Sequence, residues 1–185
     1  MAHAYTAEAI ERCLRFGVRS IEHANLIDAP TAALAAELDA FVVPTLVTYE
    51  SMTAFGQDQG LPKVSLDKLH IVAEAGLRSL EIMRAAGVRM GLGTDLLGDM
   101  HAHQSRELSL RHEVLSSVEI LMSATSVNAA LVQREGELGI VAAGALADLL
   151  VVDGDPIENI NLLEHQGRHL DAIVKGGRFV KDRLA

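Results

Sequence analysis

The chain has 185 residues and a mass of 19.8 kDa, room for one ordinary domain with a small appendage. Apolar residues make up 49% and charged residues 22%, which excludes a globally disordered chain. The 16 Lys and Arg against 25 Asp and Glu give a net charge of −9, and aromatics are 3% with no Trp, so neither a nucleic-acid partner nor a base-stacking platform is expected.

Cys13 is the only cysteine, which excludes an internal disulfide framework and a Cys-cluster metal site. A lone thiol fits a reducing compartment, and a cytoplasmic location is expected. No apolar stretch reaches the roughly 18–20 residues a bilayer span requires, so no membrane partner is expected. The opening Met1–Thr6 has neither the basic nor the apolar region of a signal peptide.

The first 95 residues alternate between strand and helix signals. Thr6 followed by Glu8 is a helix start, and Ile10, Cys13 and Leu14 carry a helical apolar period that Gly17 ends. Val18 to Glu22 reads as a strand, Thr31 to Leu38 as a short helix, and Phe41-Val42-Val43 as a buried strand stopped by Pro44. Ser51 to Ser65 reads as loop, with Ser65 capping a helix to about Ala86 whose apolar face holds Leu69, Val72, Ala73, Leu77, Leu80 and Met83. Gly87 ends that helix, and Val88 to Leu92 is the next strand. This rhythm implies a parallel sheet.

A further helix runs from Ser116 to about Val132, with Val118, Leu121, Met122, Thr125 and Ala129 on one side. The character changes after Glu135, where Gly136, Gly139 and Gly144 punctuate short segments. Leu149 to Val152 is a β-prone run, and 173–180 around Gly176-Gly177 reads as a hairpin. These shifts place a boundary near residue 134, with 1–134 and 135–185 as separate units.

In α/β barrels the chemistry sits at the C-terminal ends of the strands. His3, His23 and Asp95 each stand near such an end, and two imidazoles with a carboxylate suit Zn²⁺ or a similar divalent ion. Tyr49 follows the Phe41–Val43 strand, where its phenol would reach a substrate carboxylate or an oxyanion, or pack on a helix. His101-Ala102-His103 matches a His-x-His pattern but lies in a loop, so surface or substrate-side histidines are expected there rather than ligands.

The segments Ala2-His3-Ala4-Tyr5-Thr6, Gly17-Val18-Arg19-Ser20-Ile21-Glu22-His23-Ala24 and Gly93-Thr94-Asp95, in that order, resemble the metal-dependent amidohydrolase superfamily. The resemblance is to imidazolonepropionase-like and Xaa-Pro or arginine carboxypeptidase-type dipeptidases. The tail Gly144-Ala145-Leu146-Ala147-Asp148-Leu149-Leu150-Val151-Val152-Asp153-Gly154-Asp155-Pro156 also looks like that family's C-terminal β segment. The resemblance implies an α/β fold: the C-terminal half (strands 5–8) of a (β/α)8 TIM-like barrel, with part of a small β-sandwich over 135–185. It also implies that His3 and His23 are the strand-5 and strand-6 metal ligands. Asp95 would be the strand-8 aspartate, a ligand that also takes a proton from the attacking water. His101, His103 and Gln104 would lie on the substrate side.

The family's strand-1 His-x-His pair and strand-4 carboxylated Lys have no counterpart here, because only two residues precede His3. The resemblance therefore implies a half of a roughly 400-residue enzyme, with an incomplete site for one or two ions. It implies either a homo-oligomer or a missing N-terminal half. The expected function is hydrolysis of a dipeptide or N-acyl amino acid amide. The alternatives are a cyclic amidase or lactonase on the same scaffold, or a catalytically inactive structural half-barrel.

Overall fold

The computed structural model describes residues 1–55 and 62–184. Strands β1 (Ala2–Thr6), β2 (Ser20–Leu26), β3 (Phe41–Val43) and β4 (Arg89–Met90) form one parallel sheet in the order β1-β2-β3-β4. Parallel neighbours need a crossover, and the chain supplies helices between them. These are α1 (Ala7–Arg15), α2 (Ala29–Glu37), α3 (Leu46–Phe55) and α4 (Lys63–Ala86).

Local chemistry sets most of these boundaries. The Thr6 hydroxyl accepts the Ala9 N–H at 3.4 Å to start α1, which buries Ile10 and Leu14. Asp28 accepts the Thr31 N–H at 2.9 Å to start α2, with Pro30 in the first turn. Gly87 ends α4 in the left-handed region at φ 73°, where a Cβ is disfavoured. Leu80 and Met83 of α4 join Ile21, Val42 and Val47 in the main core. Ser20 to Asn25 of β2 are all buried, as a central parallel strand requires.

The expectation of a loop over Ser51–Ser65 fails at both ends. Leu46–Phe55 is helical, and its first-turn Val47 N–H donates to the buried Glu107 carboxylate at 2.8 Å, a partner 60 residues away that no local pattern reveals. Helix α4 begins at Lys63, so Ser65 lies within it rather than capping it. Positions 56–61 of the expected loop lie outside the described residues.

The helix expected over Ser116–Val132 begins with a full capping box between Ser116 and Glu119 and runs unbroken to Leu131, but it is not α-helical throughout. Helix α6 (Ser117–Met122) passes through a π-helical stretch, Ser123–Val127, into α7 (Asn128–Leu131). The bulge coincides with the Thr125 hydroxyl donating to the Leu121 carbonyl at 2.6 Å. It delivers Asn128 to the outer edge of the sheet. There the Asn128 amide accepts the Leu92 N–H at 3.1 Å and donates to the Leu92 carbonyl at 2.9 Å. One side chain thus satisfies the pair of backbone groups that a further strand would take. Gly91 permits this approach, since a Cβ there would come within 2.7 Å of the Asn128 amide oxygen.

Beyond these helices, β5 (Leu149–Val152), β6 (Leu170–Lys175) and β7 (Arg178–Asp182) form a separate antiparallel sheet. The β6–β7 turn is Gly176-Gly177, both at positive φ, as the residue pattern implies. Buried Ile160 packs with Leu115 and Ile120 and ties this region to the helices. Among the described residues no helix is long and apolar enough to cross a membrane.

Candidate active site

The site forms where β2 is distorted. Ala4 pairs with His23 and Thr6 with Leu26, so β2 carries one extra residue across this step. His23 and Ala24 both adopt positive φ, at 79° and 54°. Such a bulge re-aims a side chain, and non-glycine residues in this region are held there only by their surroundings.

His23, only 2% exposed, has its ring held by four neighbours. Its Nδ1 lies 2.8 Å from the Thr45 hydroxyl just beyond β3. Its Nε2 lies 2.7 Å from His3 Nδ1 on β1. The Tyr5 ring stacks on it at 4.8 Å and 6°, and Tyr49 meets it edge-on at 6.0 Å and 82°. Burial lowers the His23 pKa; the Asp95 charge opposes this and the neighbouring His3 adds to it. Burial therefore favours the neutral form of His23, whose Nε2 faces His3.

Asp95 Oδ2 stands 3.9 Å from His23 Nε2 and its carboxylate is 47% exposed. Asp95 also adopts positive φ, at 50°, and its carbonyl accepts the Thr48 hydroxyl at 3.0 Å. The structure therefore brings His3, His23 and Asp95 to one edge of the parallel sheet, near the C-terminal strand ends. His3 is within β1 itself, not beyond its end.

The donor types fit a divalent ion: two imidazole nitrogens and a carboxylate oxygen. Thr45 on the far nitrogen of His23 is the kind of outer partner that orients a metal-ligating imidazole. The spacing is that of a hydrogen bond, however. Two nitrogens on one tetrahedral zinc stand about 3.3 Å apart, against the observed 2.7 Å. Among the described residues no three His, Cys, Asp or Glu side chains stand as a ready-made ligand group.

Tyr49 lies on α3 rather than in a loop, and only 2% of it is exposed. Among the described residues its buried hydroxyl has no hydrogen-bond partner. Burial, and then the nearby Tyr5, push its pKa far above the ordinary value. His101 and His103 sit in a 3-10 turn, Gly98–His103, with Gln104 directly after it, and all three are exposed. The His103 ring stacks on Phe55 at 5.2 Å, and the Ala102 carbonyl accepts from the Gln166 side chain.

Tyr5, Thr45 and Thr48 escape a reading of the sequence. Tyr5 had a usable signal, since positions two apart on a strand share a face and His3 was already singled out. Thr45 and Thr48 had none, because their partners are 22 and 47 residues away.

The model of the amidohydrolase family matches residues 1–179. The ochratoxinase of Aspergillus niger is 25% identical over 181 residues, 97% of this chain and 37% of its own length. A crystal structure of a prolidase complexed with N-methylphosphonate-L-proline is 49% identical, with a TM-score of 0.95 over 98% of this chain and 45% of that one. A Xaa-Pro dipeptidase with methionine bound in its active site is 28% identical, with a TM-score of 0.85 over 97% of this chain and 44% of that one. The chain thus spans less than half the length of these relatives.

Proposed function

The chain belongs to the amidohydrolase family, and from that premise we propose that it contributes the His3, His23 and Asp95 half of a centre that hydrolyses amide bonds. The substrate class is a dipeptide or N-acyl amino acid, with an Xaa-Pro bond first, because a prolidase and an Xaa-Pro dipeptidase are among its relatives. The observation that carries the reading is the single cluster in which His23 Nε2 lies 2.7 Å from His3 Nδ1 and 3.9 Å from Asp95 Oδ2.

A divalent cation at these three side chains, Zn²⁺ by donor type, would supply the positive charge that acidifies water and polarises a carbonyl. Burial favours the neutral form of His23, which is the form that binds a cation. Asp95, half exposed at the mouth, accepts a proton and returns it to the leaving nitrogen. The Tyr49 hydroxyl, with no partner among the described residues, is a donor in reserve for a substrate oxygen. Three protein donors with an open position suffice for one ion. A second ion needs donors from another segment or chain.

The test is release of proline from Xaa-Pro dipeptides by the protein supplied with Zn²⁺, Co²⁺ or Mn²⁺, with N-acyl amino acids and a lactone run beside them. Metal-dependent amide hydrolysis supports the reading. Lactone cleavage without amide cleavage would replace it. No turnover with any of them would leave a folded but inactive scaffold.

A further inference from the structure

Among the described residues one ion pair is completely buried. Glu107 and Arg111, one turn apart on α5 (Arg106–His112), are both 0% exposed and bridged at 2.7 Å. Arg111 donates Nη1 to the Gly91 carbonyl at 2.9 Å and Nη2 to the Pro44 carbonyl at 2.6 Å. The other Glu107 oxygen accepts the Val47 N–H at 2.8 Å. The pair therefore grips the backbone just past β3, the first turn of α3, and the backbone just past β4.

These three anchor points are the roots of the site. Thr45, beside His23 Nδ1, follows Pro44 directly. Tyr49 is two residues beyond Val47. Asp95 is four residues beyond Gly91, and its carbonyl is tied back to α3 through Thr48. We propose that Glu107 and Arg111 are positioning residues, the pair that sets where Thr45, Tyr49 and Asp95 stand relative to His23. The proposal rests on the hydrolytic reading of that cluster.

Stability alone does not account for such a pair. Removing two charges from water costs several kcal/mol per ion, and apolar replacements of similar volume are often neutral or better for folding. The planar guanidinium fork offers what an apolar pair lacks: fixed directions to two carbonyls at once. Asp95 and His23 hold backbone conformations that persist only where surrounding bonds enforce them.

The experiment compares wild type with Arg111→Lys, Arg111→Met and the double replacement Glu107→Leu with Arg111→Met. Thermal stability, the ¹⁵N spectrum of the histidine imidazoles and Xaa-Pro turnover are measured on each. In wild type, His23 shows one tautomer with Nδ1 hydrogen-bonded. The double variant is expected to recover stability over Arg111→Met but to lose that signature. Its kcat should fall on the order of 10²-fold, the effect of misplacing groups by about 1 Å, with KM changed much less. Should the double variant not fold, Arg111→Lys decides by the same spectrum, since Lys cannot span both carbonyls. A folded variant that keeps the His23 signature would overturn the proposal. Wild type without turnover would defeat the hydrolytic reading instead, while the spectrum still decides whether the pair orders the cluster.

Discussion

His3 Nδ1 on β1 and His23 Nε2 on β2 stand 2.7 Å apart, so two adjacent parallel strands present their imidazoles to each other at the open edge of the site. One ring donates and the other accepts, which requires at least one neutral ring. Burial of His23 meets that requirement. With the backbone bulge at His23, this pairing makes a donor cluster from residues 20 positions apart.

Asp95→Asn separates ligand from base. The amide keeps the size and one oxygen but does not take up a proton. Turnover of the complete enzyme should fall by about 10²–10⁴-fold, the contribution of a positioned acid–base group, with bound metal and KM much less affected. Near-full kcat with metal content verified would remove the base role.

Tyr49→Phe tests the hydroxyl that has no partner among the described residues. An unsatisfied buried polar group costs about 1–3 kcal/mol, so removing it should stabilise the free protein or leave it unchanged. If the hydroxyl binds substrate, KM should rise with a modest kcat effect. Destabilisation in thermal melts with unchanged KM would show a structural role alone.

Much of this fold was legible because its signals are local. Thr6 caps α1, Ser116 and Glu119 form a reciprocal cap, and Gly87 ends α4, each within four residues of its partner. His3, His23 and Asp95 were legible as a polar set on three strand segments, but not their exact places: His3 and His23 lie inside β1 and β2, and Asp95 lies five residues past β4. Glu107 and Arg111 were not. At i,i+4 spacing they read like the exposed pair Glu8 and Arg12, and only tertiary packing makes one pair buried and the other solvated. The helical state of Tyr49 was hidden for the same reason, because a helix-start acceptor comes from Glu107. The bulge at His23 left little mark in composition, since Ala24 does not favour positive φ and a histidine adopts it only in a minority of places.

Glu119 should give an acid-sensitive contribution to stability. Burial pushes its pKa up, but the Ser116 N–H and hydroxyl at 2.8 and 2.7 Å and the Arg84 guanidinium at 2.9 Å outweigh this and lower it below 4.5. A depressed carboxylate stabilises the fold above its unfolded pKa, and that contribution is lost as pH falls through the folded value. Denaturant titrations of wild type and Glu119→Gln should therefore differ at neutral pH and converge in acid below 4.5. A constant gap across that window would contradict the assignment.

The parallel sheet has two outer strands, β1 and β4. Asn128 occupies the Leu92 backbone beside β4, whereas β1 pairs among the described residues only with β2. Unpaired strand edges recruit partners. Sedimentation at micromolar concentration should show self-association, or capture of a complementary chain when one is supplied. A well-folded monomer that takes up no such chain would show that the edge is protected by other means.

The central claim is that His3, His23 and Asp95 share one ion. The most direct measurement is an anomalous difference map, at the zinc edge, from crystals grown with Zn²⁺. A single peak bounded by His3 Nδ1, His23 Nε2 and an Asp95 carboxylate oxygen is predicted, with the imidazole nitrogens moved apart from their hydrogen-bonded 2.7 Å. No peak there, or a peak at His101 and His103 instead, would contradict it.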